Sequence, residues 1–162
     1  MVDTYFAQPI GVQRSRAKGS RLPAGTVCVD RSTKYGNPYK VSRNPNGGWM
    51  VVGPVGTIAC LDDKIGASRV AVDAFTTMLK TRPAGIIHYP SDDQIRAELR
   101  GHGLACWCPV WDKTTRCPEC AGLGMILDPA QFISGPPCVA CEGTGFARYP
   151  CHRWPLMELA NA

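Results

Sequence analysis

The chain has 162 residues, room for one domain with a small appendage, and 44% of them are hydrophobic, which excludes a wholly disordered protein. Charged residues reach only 19% while Gly (17) and Pro (14) are frequent, a composition suited to short elements joined by many turns. The formal net charge of +5 is too small to define a nucleic-acid binder by itself, so the placement of the charges matters more than their sum.

In chain order, the N-terminal stretch MVDTYFAQPIGVQRSR has no apolar signal core, and no later apolar run nears the roughly 20 residues of a membrane span, so a cytoplasmic protein with no membrane partner is expected. Residues 13–21, QRSRAKGSR, hold Arg14, Arg16, Lys18 and Arg21 with no acid among them. VCVD at 27–30 is β-branched and reads as a short strand. RSTKYGNPYKVSR follows, with a turn at Gly36-Asn37-Pro38. NPNGG at 44–48 predicts a hairpin turn into WMVV, and GPVG turns again into TIAC. Apolar residues at Val70, Ala74 and Met78, and beside them Ala71, Phe75 and Leu79, predict a helix over 67–80. IIHY at 86–89 reads as a short strand. A second helix is expected over 91–101, with Ser91 and Gln94 as a capping box, Asp92 and Asp93 at the positive end of its dipole and Gly101 as its stop. LACWC at 104–108 reads as a buried strand, and RWPLMELAN as a C-terminal helix opened by Pro155, with Leu156 and Leu159 facing inward. Alternating strands and helices predict a small α/β domain over 1–162.

Seven of the nine cysteines lie between residues 106 and 151. In a reducing compartment such clustering points to metal or catalysis rather than disulfides. The two outliers, Cys28 and Cys60, are expected to be small buried apolar residues. CPECAGLG from Cys117 and CVACEGTG from Cys138 are two copies of Cys-x-x-Cys-x-Gly-x-Gly. Two cysteines three apart reach one ion from a tight knuckle, and the glycines supply the positive φ and close approach that the knuckle needs. Cys117, Cys120, Cys138 and Cys141 are therefore the expected ligands of one zinc ion, with residues 121–137 as the connecting arm. Four thiolates leave no position for water, so this site is expected to be structural. The paired repeat resembles the zinc-binding region of the DnaJ-type co-chaperones over residues 117–146. It implies a zinc hairpin but no co-chaperone, because the chain has two repeats where that family has more and lacks a J-domain signature.

Outside this module, QRSRAKGSR, VCVDRSTKYGNPY, the 68–79 helix, LRGHGLACWC and PCH…LMELAN resemble a family found in phages and their bacterial hosts, domain of unknown function 4326. Its members show an Arg/Lys-rich start, a W-G-N-P-F box and L-A-C-W-C followed by C-H-A-D. Three departures stand out. The module occupies the place of a short loop, which makes 112–149 an inserted, zinc-ribbon-like β-hairpin. Tyr35 replaces the box tryptophan. Cys151-His152-Arg153-Trp154 replaces the C-H-A-D box and lacks its acid.

If the ends of the insert are close, Cys106, Cys108, Cys151 and His152 converge. Three readings of that cluster stay open: a second metal site, a thiolate activated by His152, or ordinary packed cysteines on a buried strand. Arg14, Arg16, Lys18, Arg21, Arg31 and Lys34 are the candidate phosphate ligands, beside an Asn37 loop. The favoured expectation is a zinc-stabilised protein that binds nucleic acid or a nucleotide, with Trp107, Trp111 or Tyr35 stacking on bases. One alternative is an enzyme on a nucleotide-like or phosphorylated substrate, with Cys106, Cys108, Cys151, His152 and Asn37 as its candidate catalytic residues. The other, suited to a phage protein in a host cytoplasm, is a module that binds a host protein. There is no Ser-His-Asp set, phosphate-binding P-loop, dinucleotide fingerprint or deaminase motif.

Overall fold

The computed structural model describes residues 10–85, 88–125 and 136–162. The first two residues of the strand expected at 86–89, and residues 126–135 of the connecting arm, lie outside these. His88 and Tyr89 belong to no strand. The chain divides into two compact units, one made of Met1–Cys108 with Cys151–Ala162 and the other of Pro109–Pro150.

The first unit is a small α/β fold. β1 (Gly11–Gln13) and β2 (Thr26–Cys28) flank β6 (Gly103–Cys106), and both pair with it in parallel. The central strand is buried on both faces, so Leu104, Ala105 and Cys106 are all buried where alternation predicts two sides of unlike burial. β3 (Lys40–Arg43), β4 (Trp49–Gly53) and β5 (Gly56–Leu61) form an antiparallel meander, with the turns expected at 44–48 and 53–56. One face of the meander packs Val51, Ala59 and Leu61 against Ala67 and Ala71 of α1 (Lys64–Thr81).

Helix α1 begins earlier than its apolar periodicity predicts, because the Asp63 side chain accepts from the Gly66 amide and caps it. It ends at Arg82, in the left-handed conformation just before Pro83. In α2 (Asp92–Leu99) the Ser91–Gln94 capping box is present in both directions. α3 (Arg153–Asn161) has Leu156 buried and Leu159 packed at the core margin. The core joins Val29, Phe75, Met78, Ile95, Leu99, Leu104 and Leu156, contributed by all three helices and by the parallel sheet.

The expected burial of the two outlying cysteines needs correction. Cys28 is only half-buried and Cys60 is exposed. Ala59 and Leu61 point at α1, so the alternation of β5 turns Cys60 to the uncovered face of the meander.

The second unit is a hairpin. β7 (Trp111–Arg116) pairs antiparallel with β8 (Phe146–Arg148), and the Tyr149 amide donates to the Val110 carbonyl at 2.9 Å. The two ends of this segment therefore leave it side by side.

Candidate metal centres and the strand-end surface

In the second unit the two Cys-x-x-Cys-x-Gly-x-Gly copies fold as one structure used twice. Gly122 and Gly143 donate to the carbonyls of Cys117 and Cys138 at 3.2 Å, and Leu123 and Thr144 donate to those of Cys120 and Cys141 at 2.9 Å. The copies are also cross-linked, because the Cys117 amide donates to Gly145 and the Cys138 amide to Gly124, both at 2.9 Å. Gly124 and Gly145 have φ of +75° and +74°, and a Cβ on either would come within 2.5 Å of a backbone carbonyl of the opposite copy. That close approach carries the four sulfurs to one point.

All four cysteines are buried, and their sulfurs lie within 4.8 Å of one another. Cys117 and Cys138 sulfurs are 3.9 Å apart, and those of Cys120 and Cys141 3.7 Å. Thiolates at about 2.3 Å from a tetrahedral ion stand roughly 3.8 Å apart, whereas a disulfide brings sulfurs to about 2 Å. The Gly124 and Gly145 amides donate to the sulfurs of Cys120 and Cys141 at 3.3 Å. Burial opposes ionisation of Cys120, but the amides of Gly124 and Gly122 and the neighbouring Cys141 and Cys117 hold its thiol down at about 7. This cluster can hold a metal ion.

In the first unit the parallel pairing sends three chain segments out of the same sheet edge, the carboxyl ends of β1, β6 and β2. Arg14 follows β1, Val29 and Asp30 follow β2, and Cys106–Cys108 closes β6; the Arg14 amide donates to Cys106 and the Val29 amide to Ala105. Open α/β sheets bind ligands at this edge. Cys106, Cys108 and Cys151 meet there, all three sulfurs within 4.8 Å of one another, a second cluster able to hold a metal ion. His152 stands beside this trio rather than in it. Its Nε2 donates to the Val29 carbonyl, its ring sits edge-on to Phe75 at 5.7 Å, and its Nδ1 is 3.8 Å from the Cys151 sulfur. Arg153, fully buried, donates to the carbonyls of Val12 and Cys108 and so ties β1, the end of β6 and α3 together.

The structure sorts the basic candidates. Arg14 is ion-paired with Asp30, and Lys34 with Glu98 at 2.7 Å. Arg31 donates to the Tyr39 carbonyl. Arg16, Lys18 and Arg21 are exposed, and no ion pair among the described residues involves them. Asn37 is buried and occupied. Its amide donates to the Ala71 carbonyl at 3.1 Å and its Oδ1 accepts from the Tyr39 amide at 2.8 Å, so it braces the loop against α1. The loop is also held from Asp30, whose carboxylate accepts from the Ser32 amide and hydroxyl. Burial alone would raise the Asp30 pKa, but those bonds and the Arg14 guanidinium hold it below the usual carboxylate range.

Trp107, 39% exposed between two cysteines, has the Arg14 and Arg16 guanidinium carbons 4.4 and 5.0 Å from its ring centroid. Sequence reasoning passed over Asp30 and Arg153. The signal available for Asp30 was its place at a strand end before Arg-Ser-Thr, where a carboxylate caps a turn.

A family model described as domain of unknown function (DUF4326) matches residues 12–129. No curated protein and no solved structure matches the chain.

Proposed function

The chain belongs to the domain of unknown function 4326 family, and from that premise, which assigns no activity, we propose that it is a zinc protein that binds the phosphate backbone and bases of nucleic acid. Zinc is the ion that suits four buried thiolates, and it serves as a brace because no coordination position is left for a substrate. The nucleic-acid reading is carried by one observation: the half-exposed Trp107 flanked by Arg14 and Arg16 at the carboxyl edge of a parallel sheet. The indole and the two guanidinium groups that lie over its ring offer planar groups for stacking on bases, and the exposed Arg16, Lys18 and Arg21 offer phosphate contacts. Burial favours this reading over thiol catalysis, since Cys106, Cys151 and His152 are only 4%, 2% and 5% exposed.

The test is titration with single-stranded oligonucleotides at several salt concentrations. Three phosphate contacts give a slope of log affinity on log salt of about −2. Arg16→Ala with Lys18→Ala should flatten the slope, and Trp107→Ala should weaken binding by about 1–3 kcal/mol. A mononucleotide arm separates recognition of one nucleotide from recognition of a strand. Affinity that is absent, or unchanged between low and high salt, overturns the reading.

A further inference from the structure

The thiol trio of the first unit lies outside the role just proposed, and its construction is not that of ordinary core cysteines. Cys106 and Cys108 stand on either side of Trp107 at the end of β6, and Cys151 enters at the start of α3. Segments far apart in sequence thus deliver three sulfurs to one point. The Cys106 and Cys108 sulfurs are 3.8 Å apart, the edge of a tetrahedron with metal–sulfur bonds of about 2.3 Å and nearly the spacing found in the four-cysteine cluster. All three are free cysteines.

We propose that Cys106, Cys108 and Cys151 form a second metal site, a three-thiolate site for zinc whose fourth position is open to a ligand from outside the chain.

Charge and geometry both support it. Three thiolates around a divalent ion leave one net negative charge in a largely buried place, which needs a cation nearby. Two are present. Arg31 interacts electrostatically with Cys106 and Cys108, and Arg153 with Cys151. Arg153 also fixes the Cys108 carbonyl, orienting a ligand segment from outside the coordination shell. His152 does not close the site. Its Nε2 bond to the Val29 carbonyl leaves Nδ1 facing Cys151 at 3.8 Å, but the ring is not among the groups that all lie within 4.8 Å of one another. Cys108 is half-buried where Cys106 and Cys151 are buried, so the trio is not wholly enclosed. Three protein ligands and an open position are the arrangement of a zinc ion that binds or activates something, in contrast to the closed set of the second unit.

Native mass spectrometry of the full chain counts the ions. Two zinc ions per chain are expected. Cys106→Ser with Cys151→Ser should leave one, and Cys117→Ser with Cys120→Ser should also leave one. Cobalt substitution then tests openness. Azide should shift the visible bands of the chain that keeps only the trio and leave those of the chain that keeps only the four-cysteine cluster unchanged. A further readout needs no substitution. The unaltered chain loaded with cadmium-113 should give two resonances, the three-sulfur site less deshielded than the four-sulfur site. One ion per chain that survives Cys106→Ser with Cys151→Ser, or a single cadmium resonance, overturns the second site. Two ions whose cobalt bands both ignore azide overturn its open position. These outcomes are independent of the nucleic-acid reading, which stands or falls on oligonucleotide titration.

Discussion

Arg14 and Asp30 illustrate how single residues change meaning on folding. In the sequence Arg14 is one of a run of cations. In the structure it is the partner of a carboxylate that is 3% exposed and that also receives the Ser32 amide and hydroxyl. Because the folded-state pKa of Asp30 lies below its unfolded value of about 3.9, its contribution to stability is full above that pH and fades as pH falls through the folded value. Asp30→Asn should therefore cost about 2 kcal/mol at neutral pH. In urea unfolding the gap to the unaltered chain should narrow toward pH 3. A gap that is constant with pH would show that the charge of Asp30 carries no part of the effect. Arg153 and Trp154 are matched by Gly11. A Cβ there would come within 2.4 Å of the Trp154 ring, so the strand leaves the space that the indole fills.

At the scale of elements, local signals are obeyed where they are strong. The Ser91–Gln94 capping box starts α2 in the place the sequence assigns, since capping is decided within one helical turn. The knuckles show the same economy. Gly122, Gly124, Gly143 and Gly145 all have positive φ, and so do Ala121 and Glu142 at matching places in the two copies. The demand on Gly124 and Gly145 is stricter than on their neighbours, because each also lies against the carbonyl of the opposite copy. Left-handed backbone costs a residue with a Cβ about 1–2 kcal/mol, and the overlap adds to it. Gly124→Ala or Gly145→Ala should thus weaken metal binding at the four cysteines by about tenfold or more, read by competition with a chromophoric chelator. Unchanged affinity would mean that the two copies can separate without loss of the site.

Across the whole molecule, the two units draw stability from different sources. The first has a core of aliphatic and aromatic side chains from three helices and a sheet. The buried cluster of the second consists of its four cysteines, with Trp111 packed against them. Among the described residues of this unit the hydrophobic cluster is thiols and one indole, so a metal ion bound there would supply folding free energy. Stripping metal with a strong chelator should open residues 109–150 to limited proteolysis while most helical circular dichroism persists, because the helices belong to the first unit. Simultaneous loss of both signals would sink this division. Among the described residues no helix is long and apolar enough to cross a membrane.

The sequence by itself determined the α/β alternation, the meander turns, the α2 cap and the four-cysteine cluster, because each depends on neighbours a few residues apart or on an exact repeat. It brings Cys106, Cys108, Cys151 and His152 together on the condition that the intervening hairpin closes on itself, and of these the three cysteines gather while His152 stands beside them. Only the tertiary structure decided that β1 and β2 flank β6 in parallel, which sends Arg14, Asp30 and the Cys106–Cys108 segment to one edge. It also decided that Asn37 is a brace, that Arg14 and Lys34 are already paired, and that His152 turns its Nε2 to Val29. The physical reason is range: caps and knuckles are settled by local backbone geometry, whereas the partner of a charge or an imidazole depends on which distant segment packing brings within about 3 Å.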